Sequence, residues 1–362
     1  MAGLSLSLFM LGFAAGQFTG GRGSDLIGRR PVLLISLTVY ILSGICCAFA
    51  TTGPGLVAAR LIQGAGAGAC AVQANAMVQD LFHGEEARRR QSYISVVLTI
   101  MPMLAPAFGT VLVANFGWRS VHLVLALGGI LLATIVTLFV AESRLQALRT
   151  PSKGLGLAES RTILQDGVFR RLAVVNALSY GAIFAYICGA PVIVMDELGH
   201  PPIVYAALFA ATALSLSSGA FSNALLARRG ICGERLIWPG LVAQASSTIG
   251  LVLAGGRIQT SVGAGSAILT LLVCTYARGL LSPNLVHFAV SRHRKNAGLA
   301  SALVGLIQLT VGAAASAFVA ALLSRFGYTA VSVSMAVLAC AAATVWRMTE
   351  GAERVGRVRR AD

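Results

Sequence analysis

The stretch that decides the fold reads Gly21-Arg-Gly-Ser-Asp-Leu-Ile-Gly-Arg-Arg30, followed at once by Pro31-Val-Leu-Leu34. It is a short charged segment between two apolar runs, 2–20 and 31–50. Each run has about the 20 residues that a helix needs to cross a bilayer core. Gly21 and Gly28 permit backbone conformations that a side chain would block, so the segment reads as a tight turn between two spans. Asp25 places an anion at the membrane surface, where a helix N-terminus or an arginine can meet it. Arg29 and Arg30 can bond carboxylates or anionic head groups. Taken alone, the segment fits an ordinary basic loop equally well.

The same alternation of apolar runs and charged loops continues through the chain. Of 362 residues, 56% are hydrophobic and only 11% charged, and the mean hydropathy is +0.79. A soluble globule of this size could not hide so much apolar surface. This composition excludes a soluble enzyme, a disordered chain and a collagen-like fibre. Candidate spans fall at 2–20, 31–50, 55–78, 91–113, 120–140, 172–194, 203–227, 236–254, 264–289, 297–323 and 328–346. Their long unbroken apolar character favours helices over a membrane barrel. The fold expected is therefore an all-α polytopic membrane protein with about eleven helices. Residues 1–142 would form a five-helix bundle, 143–171 a linker, 172–346 a six-helix bundle and 347–362 a basic tail. The first span is not read as a signal peptide, because the first positive charge, Arg22, follows it.

The formal net charge is +15, and a pI near 10.4 would by itself suggest a nucleic-acid partner. Placement of the charges removes that reading. If the spans alternate, the loops 21–30, 80–90, 228–235 and 290–296, the linker and the tail share one side. They hold 23 of the 28 basic residues. The other side keeps Arg119, Arg257 and Arg325, while Arg60 and Arg278 lie inside spans. The positive-inside rule makes the basic side cytoplasmic, with linker and C-terminus inside and Asp196 and Glu197 outside. The topology implied is a multi-pass protein of a bacterial inner membrane. It has an odd number of helices and unequal halves, and both oddities vanish if one more helix precedes Met1. Gly16-x-Phe18 and Gly219-x-Phe221 each precede a basic loop, a faint echo between the halves.

No catalytic constellation is visible. Six of seven cysteines lie in spans without zinc spacing, the histidines form no HExxH, and neither lysine sits in a phosphate-binding loop. No enzyme activity, cofactor or metal is expected, and no ATPase. Energy for transport would have to come from an ion gradient or from the substrate's own gradient.

The 21–34 stretch resembles the loop signature of the major facilitator superfamily. The version is that of the bicyclomycin/chloramphenicol-resistance (Bcr/CflA) branch of drug:proton antiporters, roughly GPLSDRFGRRPVLL. Gly21, Ser24, Asp25, Gly28, Arg29, Arg30 and Pro31 to Leu34 match, while Leu26 stands where that family has arginine. The resemblance implies a loop that latches the outward-open state, with Asp25 bearing on the helix start near 296–297. Arg60-Leu-Ile-Gln63-Gly64-Ala-Gly66 resembles the family's RxxQGxG. It implies a buried cation at Arg60 taking part in proton coupling, whereas the bland alternative is an arginine snorkelling to the interface. Gln63, Gly64 and Gly68 would pack against a neighbouring helix. Gln73, Asn75, 80–82 and Glu85 fit the same family stretch. Pro106 and Gly109 resemble the antiporter signature ending in GPxxGG. They should kink that span and admit a close neighbour there. Tyr186, Gly189 and Pro191 resemble the branch's seventh helix, and Pro283-Asn284 with 297–308 its tenth and eleventh. Gly12, Gly16 and Gly20, at four-residue spacing, read as a helix-packing face.

None of the thirteen acids lies mid-membrane, although proton coupling usually needs a titratable group inside the bundle. The family often carries that acid in its first helix, the helix that the resemblance implies is missing upstream of Met1. Candidates for a substrate pocket are Gln17, Gln73, Asn75, Tyr180, Phe184, Tyr186, Gln244, Asn284 and Gln308, each with a bland alternative as interhelical glue. Arg278 sits about mid-span with no acid to pair with it. The function expected is proton-coupled efflux of drugs or small amphipathic metabolites by a monomer, giving resistance to antibiotics and other xenobiotics. Its partners are a small-molecule substrate, the proton gradient and the lipid bilayer. A facilitator or importer on the same scaffold, or an inactive shortened relative, are the alternatives.

Overall fold

The computed structural model describes residues 2–82, 108–142, 157–293 and 297–358, with the single positions 86, 101 and 105. The chain divides into two compact units, Met1–Ala158 and Glu159–Asp362. Among the described residues every regular element is helical. The first unit holds α1 (Ala2–Ile27), α2 (Arg29–Phe49), α3 (Gly53–Leu81), a helical stretch α4 at 108–116, and α5 (Trp118–Phe139). After a short α6 (Leu157–Gln165), the second holds α7 (Gly167–Pro191), α8 (Pro202–Arg228), α9 (Gly233–Ala254), α10 (Ser261–Ser291) and α11 (Ala297–Val358).

Local chemistry sets these boundaries. The Thr52 side chain accepts the Gly55 N–H at 3.3 Å and opens α3. Thr260 does the same for α10 through the Gly263 N–H at 3.1 Å. Asp166 opens α7 by accepting the Val168 N–H at 2.9 Å. That cap starts α7 five residues before the expected 172, because a capping carboxylate is invisible to hydropathy. The expected linker thus carries helix from 157 onward, and the expected tail stays helical through Val358.

The turn expected over 21–30 shrinks to one residue. Helix α1 continues through Ile27, so Gly21 is an ordinary helical residue. Only Gly28 adopts the backbone that demands glycine, at φ 105°.

Nine described segments are long and apolar enough to cross a membrane. The last, Leu299–Met348, spans 50 residues, about 75 Å as straight helix against a bilayer core of about 30 Å. It is two crossings, broken at Gly327 by φ 47°, ψ −130°. Glu197 secures that break by accepting the Tyr328 N–H at 3.1 Å. The expected span at 91–113 lies mostly outside the described residues.

Close helix contact in both units rests on glycine. In the first, a Cβ at Gly12, Gly16 or Gly20 of α1 would overlap Leu61, Ala65 or Ala69 of α3. Gly64 and Gly68 of α3 return the fit against Phe9 and Phe13. In the second, Gly219 of α8 seats the Tyr276 carbonyl of α10, and Gly279 of α10 seats that of Leu216. The Gly16 and Gly219 echo therefore marks equivalent helix crossings. Large apolar side chains face outward, among them Phe139, Leu253 and Val262, the last 83% exposed. Water would penalise that exterior, whereas lipid would not. All three tryptophans sit near the ends of apolar spans under an arginine: Trp118 with Arg119, Trp238 with Arg347 and Trp346 with Arg171, at 4.2–4.9 Å. Such amphipathic pairs suit the membrane interface.

Candidate functional site

Three clusters gather the polar residues that an apolar bundle must satisfy. The first surrounds the 21–30 segment. Arg29 donates from Nε to the Asp80 carboxylate at 2.8 Å and from Nη1 to the Ser24 hydroxyl. Glu142 reaches across from beyond the end of α5 and accepts the backbone N–H groups of Arg29 and Arg30, at 3.0 and 3.2 Å. Those N–H groups open α2 and have no intrahelical partner, so the carboxylate serves as both cap and countercharge to the helix dipole. Arg30 folds back and donates to the Thr137 carbonyl at 2.7 Å. The arginines thus meet carboxylates and a carbonyl. The side chain of Asp25 and the residues at 294–296, on which the expected latch depends, lie outside what is described.

The second cluster lies within the first unit. Arg60 donates to the Gln63 side-chain oxygen at 2.8 Å and rests over the Phe9 ring at 4.3 Å. Gln63 is fully buried, with Cys47 Sγ 3.9 Å from the same oxygen. Gly64 leaves room for α1 to lie directly beside this pair. Among the described residues no carboxylate pairs with Arg60. Gln73 donates to the Gly20 carbonyl at 2.9 Å and clamps α3 to α1, while Gln17 is half-buried beside Gly68. The side chain of Asn75 and the residue Pro106 fall outside the described set. Gly109 departs from expectation, because nothing described lies within 4 Å of where its Cβ would stand. The close packing expected there is absent among the described residues.

The third cluster sits inside the second unit. Arg278, on α10 and only 4% exposed, donates to the Asn176 side-chain oxygen of α7 at 2.8 Å. It donates also to the Gln308 oxygen of α11 at 3.4 Å. Asn176 in turn donates to Gln308 at 2.6 Å. The Tyr180 ring lies 5.5 Å from the guanidinium and packs on Phe184 with ring centroids 4.5 Å apart. Three helices therefore converge on one cation, and the Tyr180 ring covers it with Phe184 packed behind. Pocket candidates Tyr180, Phe184 and Gln308 come together here. Asn176 was not among the expected residues, since one asparagine in an apolar run carries no spacing signal of its own.

The remaining candidates go elsewhere. Gln244 accepts from Ser179 at 2.6 Å and ties α9 to α7. Asn284 donates to Asn223 at 2.7 Å and ties α10 to α8. Tyr186 lines a separate apolar cavity of about 140 Å³, with Leu271, Tyr328 and Met335 among its walls. At the start of α7, Asp166 also meets Arg292 at 3.0 Å and His293 at 3.2 Å. Burial works to raise its carboxyl, but the Arg292 and Val168 hydrogen bonds outweigh it and hold the group below the usual carboxylate range.

The chain is 30% identical over 320 residues to the uncharacterized MFS-type transporter YdgK of Bacillus subtilis, across 87% of this chain and 78% of that protein. It is 30% identical over 210 residues to the multidrug resistance protein MdtL of Escherichia coli, across 58% of this chain and 53% of that protein. The chain thus matches about half the length of MdtL. Among solved structures it is similar to a POT family transporter crystallised with a thioalcohol-conjugated peptide. The TM-score is 0.75 at 13% identity, over 96% of this chain and 86% of that one. It is also similar to a D-xylose-proton symporter, with TM-score 0.68 at 17% identity over 94% and 86%. Identities this low speak to fold alone. Residues 1–317 match the family profile of the Major Facilitator Superfamily. A helical, multi-span chain matched over that length belongs to the Major Facilitator Superfamily of membrane transporters.

Proposed function

We propose that this transporter exports drugs or small amphipathic molecules in exchange for protons, by alternating access, as a member of the Bcr/CflA branch. The reading places it as a monomer in a bacterial inner membrane with its C-terminus in the cytoplasm. The observation that carries it is the Arg278 cluster: a buried cation held by two side-chain amides beside the Tyr180–Phe184 pair. Amphipathic molecules need such a site, with an apolar wall for their bulk and few polar groups to orient them. The 21–30 signature and the similarity to the multidrug resistance protein MdtL support the direction of transport. With no acid inside a span, Arg60 and its partner Gln63 are the coupling candidates in the first unit.

The test is substrate uptake into everted membrane vesicles containing the protein, with and without a pH gradient. Export coupled to protons requires uptake that collapses when an uncoupler removes the gradient. Flux that survives the uncoupler would identify a facilitator instead.

A further inference from the structure

We infer that the substrate carries an anionic group, of carboxylate type, which docks on Arg278 beside the Tyr180–Phe184 pair. This deepens the export reading and rests on the Arg278 cluster being the substrate site. A guanidinium buried in a bundle loses its hydration, and amide dipoles replace only part of it. Here the replacements are one good amide contact at 2.8 Å, one long one at 3.4 Å and the face of the Tyr180 ring at 5.5 Å, none of which carries a full negative charge. A guanidinium has five N–H donors, and these two contacts leave capacity for a further acceptor. None of the chain's thirteen acids lies mid-span, so none of these thirteen supplies a countercharge at that depth. Asn176 is fully buried, whereas Gln308, Tyr180 and Phe184 remain partly exposed. A ligand would approach past those three partly exposed side chains. Its carboxylate would take a forked contact from the guanidinium, and its apolar body would lie along the aromatic pair.

The test uses the full chain in detergent and no ion gradient. Binding of salicylate is compared with that of 2-hydroxybenzyl alcohol, its neutral counterpart, by calorimetric titration. Salicylate should bind at least about tenfold more tightly, the factor expected of one hydrogen-bonded charge contact. Arg278→Gln should abolish that preference, and Arg257→Gln, a change at an exposed turn cation, should leave it intact. Should Arg278→Gln not fold, Tyr180→Leu serves instead. It should weaken both ligands by similar factors and keep the preference for the anion. The inference is overturned by equal binding of the two ligands, by no salicylate binding at millimolar concentration, or by a preference that survives Arg278→Gln. It is overturned also if Tyr180→Leu leaves both affinities unchanged. Because binding needs no gradient, loss of vesicle flux with salicylate binding intact refutes export alone.

Discussion

At the scale of single residues, Glu142 and Gly28 show how little backbone the 21–30 segment leaves free. Gly28 makes the entire turn between α1 and α2, at φ 105°. With ψ at 158° this is a region essentially reserved for glycine, so Gly28→Ala should lower stability by about 1–3 kcal/mol. Glu142→Gln keeps only one of the two acceptor oxygens, sets an NH2 donor against the other backbone N–H and removes the charge from the start of α2, and should cost about 1–2 kcal/mol. Thermal unfolding of the detergent-purified variants reads both. Asp166 provides a pH test outside the membrane spans. Its folded carboxyl titrates below the ordinary value of about 3.9. Its stabilising contribution is therefore complete above the unfolded value and fades as pH falls through the folded one. Melting temperature should fall more gently between pH 5 and 3 in Asp166→Asn than in the parent, within the usual carboxylate range. Parallel curves would show that Asp166 carries no such linkage.

At the scale of elements, the glycine-lined crossings hold the bundles together. In lipid, helices gain nothing from hiding apolar surface and must rely on close packing, which small residues permit. Gly16→Val in α1 and Gly279→Val in α10 each drive a side chain into the facing backbone, and should sharply reduce the folded yield. Gly128→Ala in α5 meets nothing within 4 Å and should be neutral or slightly stabilising, by up to about 1 kcal/mol from helix propensity. Fluorescence-detected size exclusion separates these outcomes. If Gly16→Val elutes like the parent, the crossing is looser than its geometry indicates.

At the scale of the whole molecule, folding and transport should come apart. Asp25→Asn should impair vesicle transport more than it reduces membrane insertion, as the 21–30 signature implies for a residue whose work is conformational. Western blotting of membrane fractions beside the flux assay measures both quantities. Equal losses would assign Asp25 a structural role. The same pair of measurements on Arg60→Gln separates a coupling cation from a packing one, because only the former leaves the protein inserted and inactive.

Length, hydropathy and charge are local, additive properties, and they determined the helical class, most of the spans and the uneven distribution of basic residues. The glycine stripes at 12, 16 and 20 and at 64 and 68 were legible for the same reason, since their spacing is that of a helix face. What meets what across the bundle was not legible. Asn176 lies 132 positions from Gln308 and 102 from Arg278. Nothing local to any of the three foretells the others. One residue along a helix rotates a side chain by about 100°, so the partner of a buried polar group depends on helix phase and on which helices touch. Tertiary packing alone decided both, joining Arg278 to two amides and sending Gln73, Gln244 and Asn284 to clamp neighbouring helices.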